Sequence, residues 1–297
     1  MTSSIWFGAL EQGLLYGVMV LGVYITFRVL DFPDLTVDGS FTLGGAIAAR
    51  IIVEGMDPWL GTALALVFGL GAGLVTGILH TRLRIAPLLA GILMMIGLYS
   101  INLRVMGGKA MLSLLRLDTI YTDVAKVAPS DWAVLSLGLM VAAAAAYLLY
   151  VFLQTEMGLA LRATGDNEQM SRSMGVNTDS SKVLGLALGN GLVALSGAMV
   201  AQYQAYSDVG MGIGMIVVGL ASVIMGEVVF GNRTLARTLA AVLIGSIVYR
   251  EVIAAVMRMG LPTSDLKLFS ALLVIAAMAS PMITEKLKPG KTVERMT

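Results

Sequence analysis

The chain has 297 residues, of which 57% are hydrophobic and 13% charged, and its formal net charge is +1. Because a soluble domain carries about 25% charged residues, this composition excludes a water-soluble protein and indicates an integral membrane protein. The near-neutral charge argues against nucleic acid as a partner, and the absence of cysteine excludes disulfides and thiolate metal sites. We therefore expect no cofactor and no nucleic-acid partner.

Apolar segments follow one another along most of the chain. A transmembrane helix needs about 20 mostly apolar residues, because lipid offers its backbone no hydrogen-bond partner. The sequence therefore predicts an all-α, polytopic membrane protein with about nine transmembrane helices in one domain, residues 1–297. The predicted spans are residues 6–28, 41–54, 59–80, 86–105, 132–153, 183–205, 211–230, 235–257 and 266–284.

Lysine and arginine concentrate in alternate connections, and such connections are preferentially cytoplasmic. They include Arg82 and Arg84, then Arg162, Arg172 and Lys182, then Arg233 and Arg237, then Lys286, Lys288 and Lys291. This pattern predicts an external N-terminus, a cytoplasmic C-terminus, an external loop at about 106–131 and a cytoplasmic loop at about 154–182. The stretch "DFPDLTVDGS" at 31–40 fits badly, because it should be cytoplasmic and yet holds three aspartates.

The second span is too short to cross a bilayer unaided, and Pro33, Gly39, Gly44 and Gly45 interrupt it. Irregular backbone at membrane depth is tolerated only where protein buries it or where it lines a water-filled cavity. One interpretation is a broken second helix that lines a central path. The other is a plain cytoplasmic turn, with Asp38 or Ser40 as the N-cap of a short helix.

The polar stretch "RATGDNEQMSRSMG" at 162–175 follows the fifth predicted span. Asp166 can act as an N-cap, and Gly175 can be the left-handed residue that closes a helix. The spacing predicts a short helix from Asn167 to Met174. Met170 and Met174 are four residues apart and share one face of that helix, which needs an apolar partner.

The run "RATGDNEQMSRSMGVNTDSSKVLGLALGNGLVALSGAMVAQYQ" resembles the cytoplasmic loop and following helix of ABC-transporter permeases of the branched-chain amino acid and ribose importer family. The stretches "DLTVDGSFTLGGA", "RLRIAPLLAGILMMIG" and "VVGLASVIMGEVVFG" resemble further segments of the same family, in the same order. The resemblance covers most of residues 14–255.

The resemblance implies the membrane-spanning permease subunit of an ATP-driven importer in the bacterial inner membrane. Its expected partners are a separate ABC ATPase, an extracytoplasmic solute-binding protein and a second copy of the permease. The expected solute is small, an amino acid or a similar molecule. The short helix becomes a coupling helix that docks into the ATPase through Met170 and Met174. The other residues assigned to the coupling loop are Arg162, Ala163, Gly165, Asp166, Asn167, Gly175 and Asn177.

Ionisable and polar residues inside spans are costly and often functional. Candidates for a translocation path are Asp38, Ser40, Asn102, Asn190 and Glu227. The sequence also places Arg104, Arg250, Glu251 and Gln202 within or near spans. A second interpretation, which we favour, makes the charged residues structural, with Glu227 or Glu251 paired with an arginine.

An importer subunit of this kind borrows its ATPase and needs no catalytic residues. The tripeptide "GKT" at 290–292 lacks the upstream glycine of a phosphate-binding loop and is better explained as part of a basic tail. The lone histidine, His80, cannot form a metal site or a catalytic triad by itself. The competing function is a secondary transporter driven by an ion gradient, with Glu227, Glu251 or Asp38 as the proton-linked carboxylate. The coupling-loop pattern argues against it, because such a carrier has no ATPase to dock.

Overall fold

The computed structural model describes residues 2–126, 132–231, 233–258, 268–269, 271–272 and 275. The helices are α1 (Thr2–Val23), continued by a π-helix (Tyr24–Val29), α2 (Thr36–Val53), α3 (Pro58–Thr81), α4 (Pro87–Val105), α5 (Ile120–Ala125), α6 (Ala133–Gln154), α7 (Glu156–Asp166), α8 (Glu168–Ser173), α9 (Thr178–Gln204), α10 (Met215–Phe230) and α11 (Leu235–Arg258). Two short antiparallel strands, β1 (Met111–Ser113) and β2 (Tyr206–Asp208), pair Met111 with Asp208.

The predicted all-α, multi-span architecture is confirmed. Within the described residues, seven helices are long and apolar enough to cross a membrane, and α10 is a shorter apolar helix of 16 residues. The first eight predicted spans each correspond to one of these helices, but the ninth, at 266–284, lies almost wholly outside the described residues. The count of nine is therefore not confirmed.

Helix α9 is the centre of the bundle and packs against α1, α2 and α3. Its buried polar side chains bond to its neighbours: Ser196 Oγ donates to the carbonyl oxygen of Leu15 (2.8 Å), and Gln202 Nε2 donates to Thr62 Oγ1 (2.9 Å). Such groups cannot turn to lipid without losing a partner. They therefore fix how α1 and α3 sit against α9.

Glycine lets these helices approach closely. A methyl group at Gly44 of α2 or at Gly73 of α3 would collide with the backbone carbonyls of Ala194 and Leu186 on α9, respectively. Lipid tails are as apolar as the side chains, so the hydrophobic effect does not drive helices together within a membrane. Helix association there depends on such close contacts between small residues. The glycine-rich composition therefore accounts for the tight α2–α3–α9 core.

The predicted break in the second helix is not confirmed, because α2 is continuous from Thr36 to Val53. The predicted span started at residue 41, whereas the helix starts at Thr36. Pro33 lies before the helix, and the glycines lie within it, where they contact other helices closely. In α2, 89% of the residues are buried, which makes it an interior helix, whereas in α4 only 22% of the residues are buried. Neither Asp38 nor Ser40 caps α2, since its N-cap position is Leu35.

Irregular backbone lies instead beside the N-terminal half of α2. Thr36 bonds to Thr76, inside α3, and Ser40 bonds to Asn190, near the middle of α9. Helix α2 thus begins beside the interior of its neighbours and is preceded by the non-helical segment 30–35, in which Leu30, Phe32 and Asp34 are buried. A second irregular segment, 209–214, runs along α2 and leads into α10.

We predict that Gly73→Ala lowers the thermal unfolding midpoint of the detergent-solubilised protein, because its methyl group would meet the carbonyl of Leu186. Overpacking of this kind costs about 1–3 kcal/mol. Gly71→Ala on the same helix is the matched control, since a methyl group there meets no atom within 4 Å. Equal midpoints for the two variants would contradict the proposed close packing of α3 on α9.

Candidate functional site

The loop between α6 and α9 contains two helices, α7 and α8, that extend from the bundle. Helix α7 was not predicted, and it carries Arg162, Ala163, Gly165 and Asp166 of the proposed coupling loop. Its buried side is formed by Gly158, Leu161 and Thr164, and Leu161 contacts α9 at Gly185. The rest of its surface is exposed or partly exposed, which gives an amphipathic helix lying against the end of the bundle.

Helix α8 is the predicted short helix, displaced by one residue at its start. Asn167, rather than Asp166, is the N-cap: its backbone is extended and its side chain accepts a hydrogen bond from the amide of Met170 (2.9 Å). Asp166 remains helical as the last residue of α7. At the other end, Gly175 has φ +86°, the predicted left-handed conformation. Asn177 caps the next helix, α9, by accepting from the amide of Ser180 (3.1 Å).

Met170 and Met174 project from α8 into open surroundings, with 55% and 77% of their surface exposed. Between them in the sequence, Ser171 is buried against the rest of the protein. Two large apolar side chains that are exposed on a helix held by its neighbours offer a contact surface for a partner. Both methionines are therefore accessible to a partner, and their shared contact face stays a prediction.

Charged side chains hold α8 against the first turn of α9. Glu168 Oε1 lies 2.8 Å from Lys182 Nζ and 3.1 Å from Arg172 Nη2. Arg172 Nη2 also donates to Thr178 Oγ1 (2.9 Å). The hydrogen bond from Lys182 is the main reason that the pKa of Glu168 lies below its ordinary value. The carboxylate form is therefore the one that holds α8.

The same lysine connects α8 to α3. Lys182 Nζ lies 3.3 Å from His80 Nε2, while His80 Nδ1 lies 2.8 Å from the carbonyl oxygen of Ile85. The ring of His80 packs edge-on against Phe32, in the segment before α2. His80, the lone histidine, thus contacts α9, the segment after α3 and the segment before α2.

Gly165 joins α7 to the end of the π-helix. A methyl group at this position would collide with the carbonyl oxygen of Val29 and with the backbone of Leu30. Only glycine permits this approach, which gives a physical reason for the residue at a position first assigned by resemblance. The loop is therefore fastened to the bundle at α7 as well as at α8.

Four of the five candidate path residues meet around residues 38–40 of α2. Ser40 Oγ donates to Asn190 Oδ1 (2.7 Å), and Asn102 Nδ2 donates to the carbonyl oxygen of Gly39 (3.1 Å). Asp38 accepts from the amides of Gly214 (2.8 Å) and Ile216 (2.9 Å), at the start of α10. A carboxylate at a helix N-terminus satisfies its free amides and interacts favourably with the helix dipole.

Burial separates these four residues. Ser40, Asn102 and Asn190 are buried, whereas Asp38 is partly exposed. Asn102 Oδ1 is buried without a hydrogen-bond partner in the described part of the chain. Ser40, Asn102 and Asn190 therefore join helices in this structure, and Asp38 is the member of the group that reaches accessible space.

Glu227 lies apart from this group, near the end of α10. Its Oε1 atom accepts a hydrogen bond from Arg28 Nε at 2.9 Å, which links α10 to the π-helix. This arrangement is the arginine pairing expected by the structural interpretation. Glu251, the other carboxylate considered for such a pair, forms no ion pair in the described residues, and its Oε2 atom is buried without a hydrogen-bond partner there.

Asp34 is a buried polar residue beside this group that sequence reasoning did not single out. It is fully buried, and it accepts from Asn190 Nδ2 (2.6 Å) and from the amide of Thr36 (2.9 Å). The Asp-Leu-Thr spacing before α2 was an available signal, because a side chain two residues before a helical amide commonly bonds to it. Within the described residues no group of three or more histidine, aspartate or glutamate side chains could hold a metal ion.

Known proteins resemble this chain over most of its length. Residues 5–278 match the family model described as "Branched-chain amino acid transport system / permease component". The chain is 42% identical to a tyrosine transport system permease protein of Clostridioides difficile, over 94% of this chain and 92% of the relative. It is 24% identical to the fructose import permease protein FruF of Bifidobacterium longum, over 92% of this chain and 77% of that protein.

A solved structure, PsaBC from Streptococcus pneumoniae in complex with Fab, contains a chain with a similar fold. The TM-score is 0.51 at 15% sequence identity, covering 91% of this chain and 89% of that chain. At this identity the likeness concerns the fold alone.

We predict that α8 stays in place from neutral pH down to the ordinary titration range of a glutamate, and loosens only below it. The pKa of Glu168 is lowered in the folded protein, so its stabilising effect is present above its unfolded-state value and is lost as pH falls through the folded value. A spin label on Gln169→Cys, in a chain without cysteines, reports the mobility of α8.

Glu168→Gln should raise the mobility of this label at neutral pH and remove its acid transition. Glu156→Gln is the matched control, because Glu156 lies in the same loop, at the start of α7, and forms no ion pair within the described residues. An unchanged pH profile in Glu168→Gln would show that the ion pair with Lys182 does not hold α8.

Proposed function

The chain belongs to the family of branched-chain amino acid transport system permease components, and from that premise we propose that it carries an amino acid through a homodimeric pore coupled at α8 to an ATPase. As a member of this family the chain is the permease subunit of an ABC importer, and ATP is hydrolysed by a separate ATPase component. The membership also favours ATP-driven transport over the competing ion-driven carrier.

An amino acid is the solute that the relatives favour. The tyrosine transport permease shares 42% of its residues with this chain over nearly the full length of both, whereas the fructose import permease shares 24%. A difference of this size supports an amino acid over a sugar. An aromatic amino acid such as tyrosine is the first solute to test.

The observation that carries the coupling proposal is the exposed methionine face of α8. Met170 and Met174 are exposed, while Glu168 of the same helix is held by Lys182 of α9. Methionine is flexible and polarizable and suits an apolar groove on a partner protein. A rigidly held helix with an apolar face can transmit movement of the ATPase to the bundle, through α9 and through the contact of Gly165 with Val29.

A second permease copy would cover the irregular backbone at residues 209–214. Ile213 is 61% exposed, and neighbouring Asp38 is partly exposed. Polar backbone at membrane depth is not tolerated against lipid. We therefore propose a homodimer in which this region, with Asp38 and the buried group of Ser40, Asn102 and Asn190 behind it, borders the translocation path. Glu227 would lie at the cytoplasmic end of that path.

Replacing both Met170 and Met174 with aspartate should abolish transport and release the ATPase on purification. Burying two unpaired carboxylates in an apolar contact costs at least several kcal/mol, and about 1.4 kcal/mol is a tenfold change in affinity. Insertion and fold should be unaffected, because the side chains lie outside the bundle. The measurements are co-purification of the ATPase and ATP-driven uptake.

The matched control is Met170→Leu with Met174→Leu, which keeps the face apolar and should transport normally. If the aspartate variant transports at the normal rate with its ATPase bound, α8 is not the coupling element.

Single-cysteine variants can test the proposed orientation, because the native chain has no cysteine. We expect a cysteine at Asp118 to react with a membrane-impermeant maleimide added to intact cells, and a cysteine at Met174 to react only after the membrane is opened. The reverse pattern would invert the topology and place α8 outside, where no ATPase could reach it.

A further inference from the structure

A cavity of about 760 Å³ opens between the π-helix and α7. Its volume lies within the range of about 300–1,000 Å³ typical of small-molecule sites. Arg28 and Asp31 line it from the π-helix side, and Arg162 and Asp166 line it from α7. Tyr24 and Phe27 add aromatic surface. In the proposed orientation the cavity opens to the cytoplasm.

The lining contains two guanidinium groups and two carboxylates. Arg28 is already paired through its Nε atom with Glu227, which is not a lining residue, whereas Arg162, Asp31 and Asp166 make no side-chain hydrogen bond or ion pair within the described residues. A lone anion would match Arg162 and leave the two carboxylates unmatched, and a lone cation would leave Arg162 unmatched. A molecule that carries both a carboxylate and an ammonium group matches the lining better.

The backbone around the cavity is unusual at two places. Residues Tyr24–Val29 form a π-helix, a rare conformation that occurs often at functional sites. Asp31 has φ +51°, in the left-handed region that non-glycine residues seldom adopt. On either side of it, the amide of Leu30 donates to Ile25 and that of Phe32 donates to Thr26. These bonds close the helix and hold Asp31 in the left-handed conformation, which aspartate tolerates better than most residues, with its side chain lining the cavity.

We propose that this cavity binds a zwitterionic amino acid from the cytoplasm. The guanidinium groups of Arg162 and Arg28 take its α-carboxylate, Asp31 and Asp166 take its ammonium group, and Tyr24 and Phe27 face its side chain. The choice of an amino acid rests on the solute class proposed above.

Such a ligand would join the π-helix to the coupling loop. Arg162 and Asp166 belong to α7, which leads directly into α8, and the cavity wall on the other side belongs to the end of the first span. An amino acid that bridges the two would oppose their separation. Accumulated solute would thereby slow its own import.

The test is binding of radiolabelled L-tyrosine to the purified permease–ATPase complex in nanodiscs, without the solute-binding protein. We expect the wild-type complex to bind, and Asp31→Asn to weaken binding at least tenfold. Asparagine accepts the left-handed conformation, so the substitution removes the charge and keeps the backbone. Arg162→Gln should weaken binding to a similar extent. Asp118→Asn, which removes an exposed carboxylate in the 106–131 loop, should bind as the wild type does.

Tyramine, which lacks the carboxylate, and 3-(4-hydroxyphenyl)propionate, which lacks the ammonium group, should compete at least tenfold more weakly than L-tyrosine. Absence of binding, equal binding by folded Asp31→Asn, or displacement of L-tyrosine by inorganic phosphate would overturn the proposal. ATP-driven uptake with the solute-binding protein, measured in parallel, separates the two proposals. Uptake without cavity binding refutes only the cavity site, whereas cavity binding without amino acid uptake supports the site and refutes the proposed solute.

Discussion

Within a bilayer every backbone and side-chain polar group must find its partner inside the protein, and in this chain α9 supplies many of those partners. Asn190 illustrates the constraint. Its amide accepts from Ser40, donates to Asp34 and donates to the carbonyl of Leu186, so one side chain joins the start of α2 and the segment before it to the central helix. The irregular segment 30–35 can lie beside the middle of α9 because these bonds replace the ones that a helix would have made.

The proposed coupling loop is a continuation of this central framework. Helix α9 begins at Thr178, directly after α8, and its Lys182 holds Glu168 of α8 and contacts His80 of α3. On the N-terminal side of α8, Gly165 rests on Val29, at the end of the first span. A displacement of α8 would therefore reach both the central helix and the irregular backbone beside α2. In the proposed coupling, this connection would carry movement of the ATPase to the membrane core.

Much of this could be predicted from the sequence, because the determinants are local. Apolar runs gave the existence and order of the spans, and the "DNEQMSRSMG" stretch gave α8 within one residue at its start. The cap was placed at Asp166 rather than at Asn167 because both residue types favour that position and local rules cannot choose between them. The start and the burial of α2 could not be predicted from local sequence in the same way. They depend on bonds from Thr36 to Thr76 and from Asp34 to Asn190, which join residues far apart in the chain. The cavity between the π-helix and α7 could not be predicted either, because its lining residues come from two distant parts of the chain.

The most direct test of the central claim is uptake of L-tyrosine into proteoliposomes that contain the permease with its ATPase, in the presence of the solute-binding protein. We expect uptake that requires ATP and all three components and that persists when ionophores collapse the proton and sodium gradients. Uptake by the permease alone that is driven by an imposed ion gradient, and abolished by ionophores while ATP is present, would contradict the account.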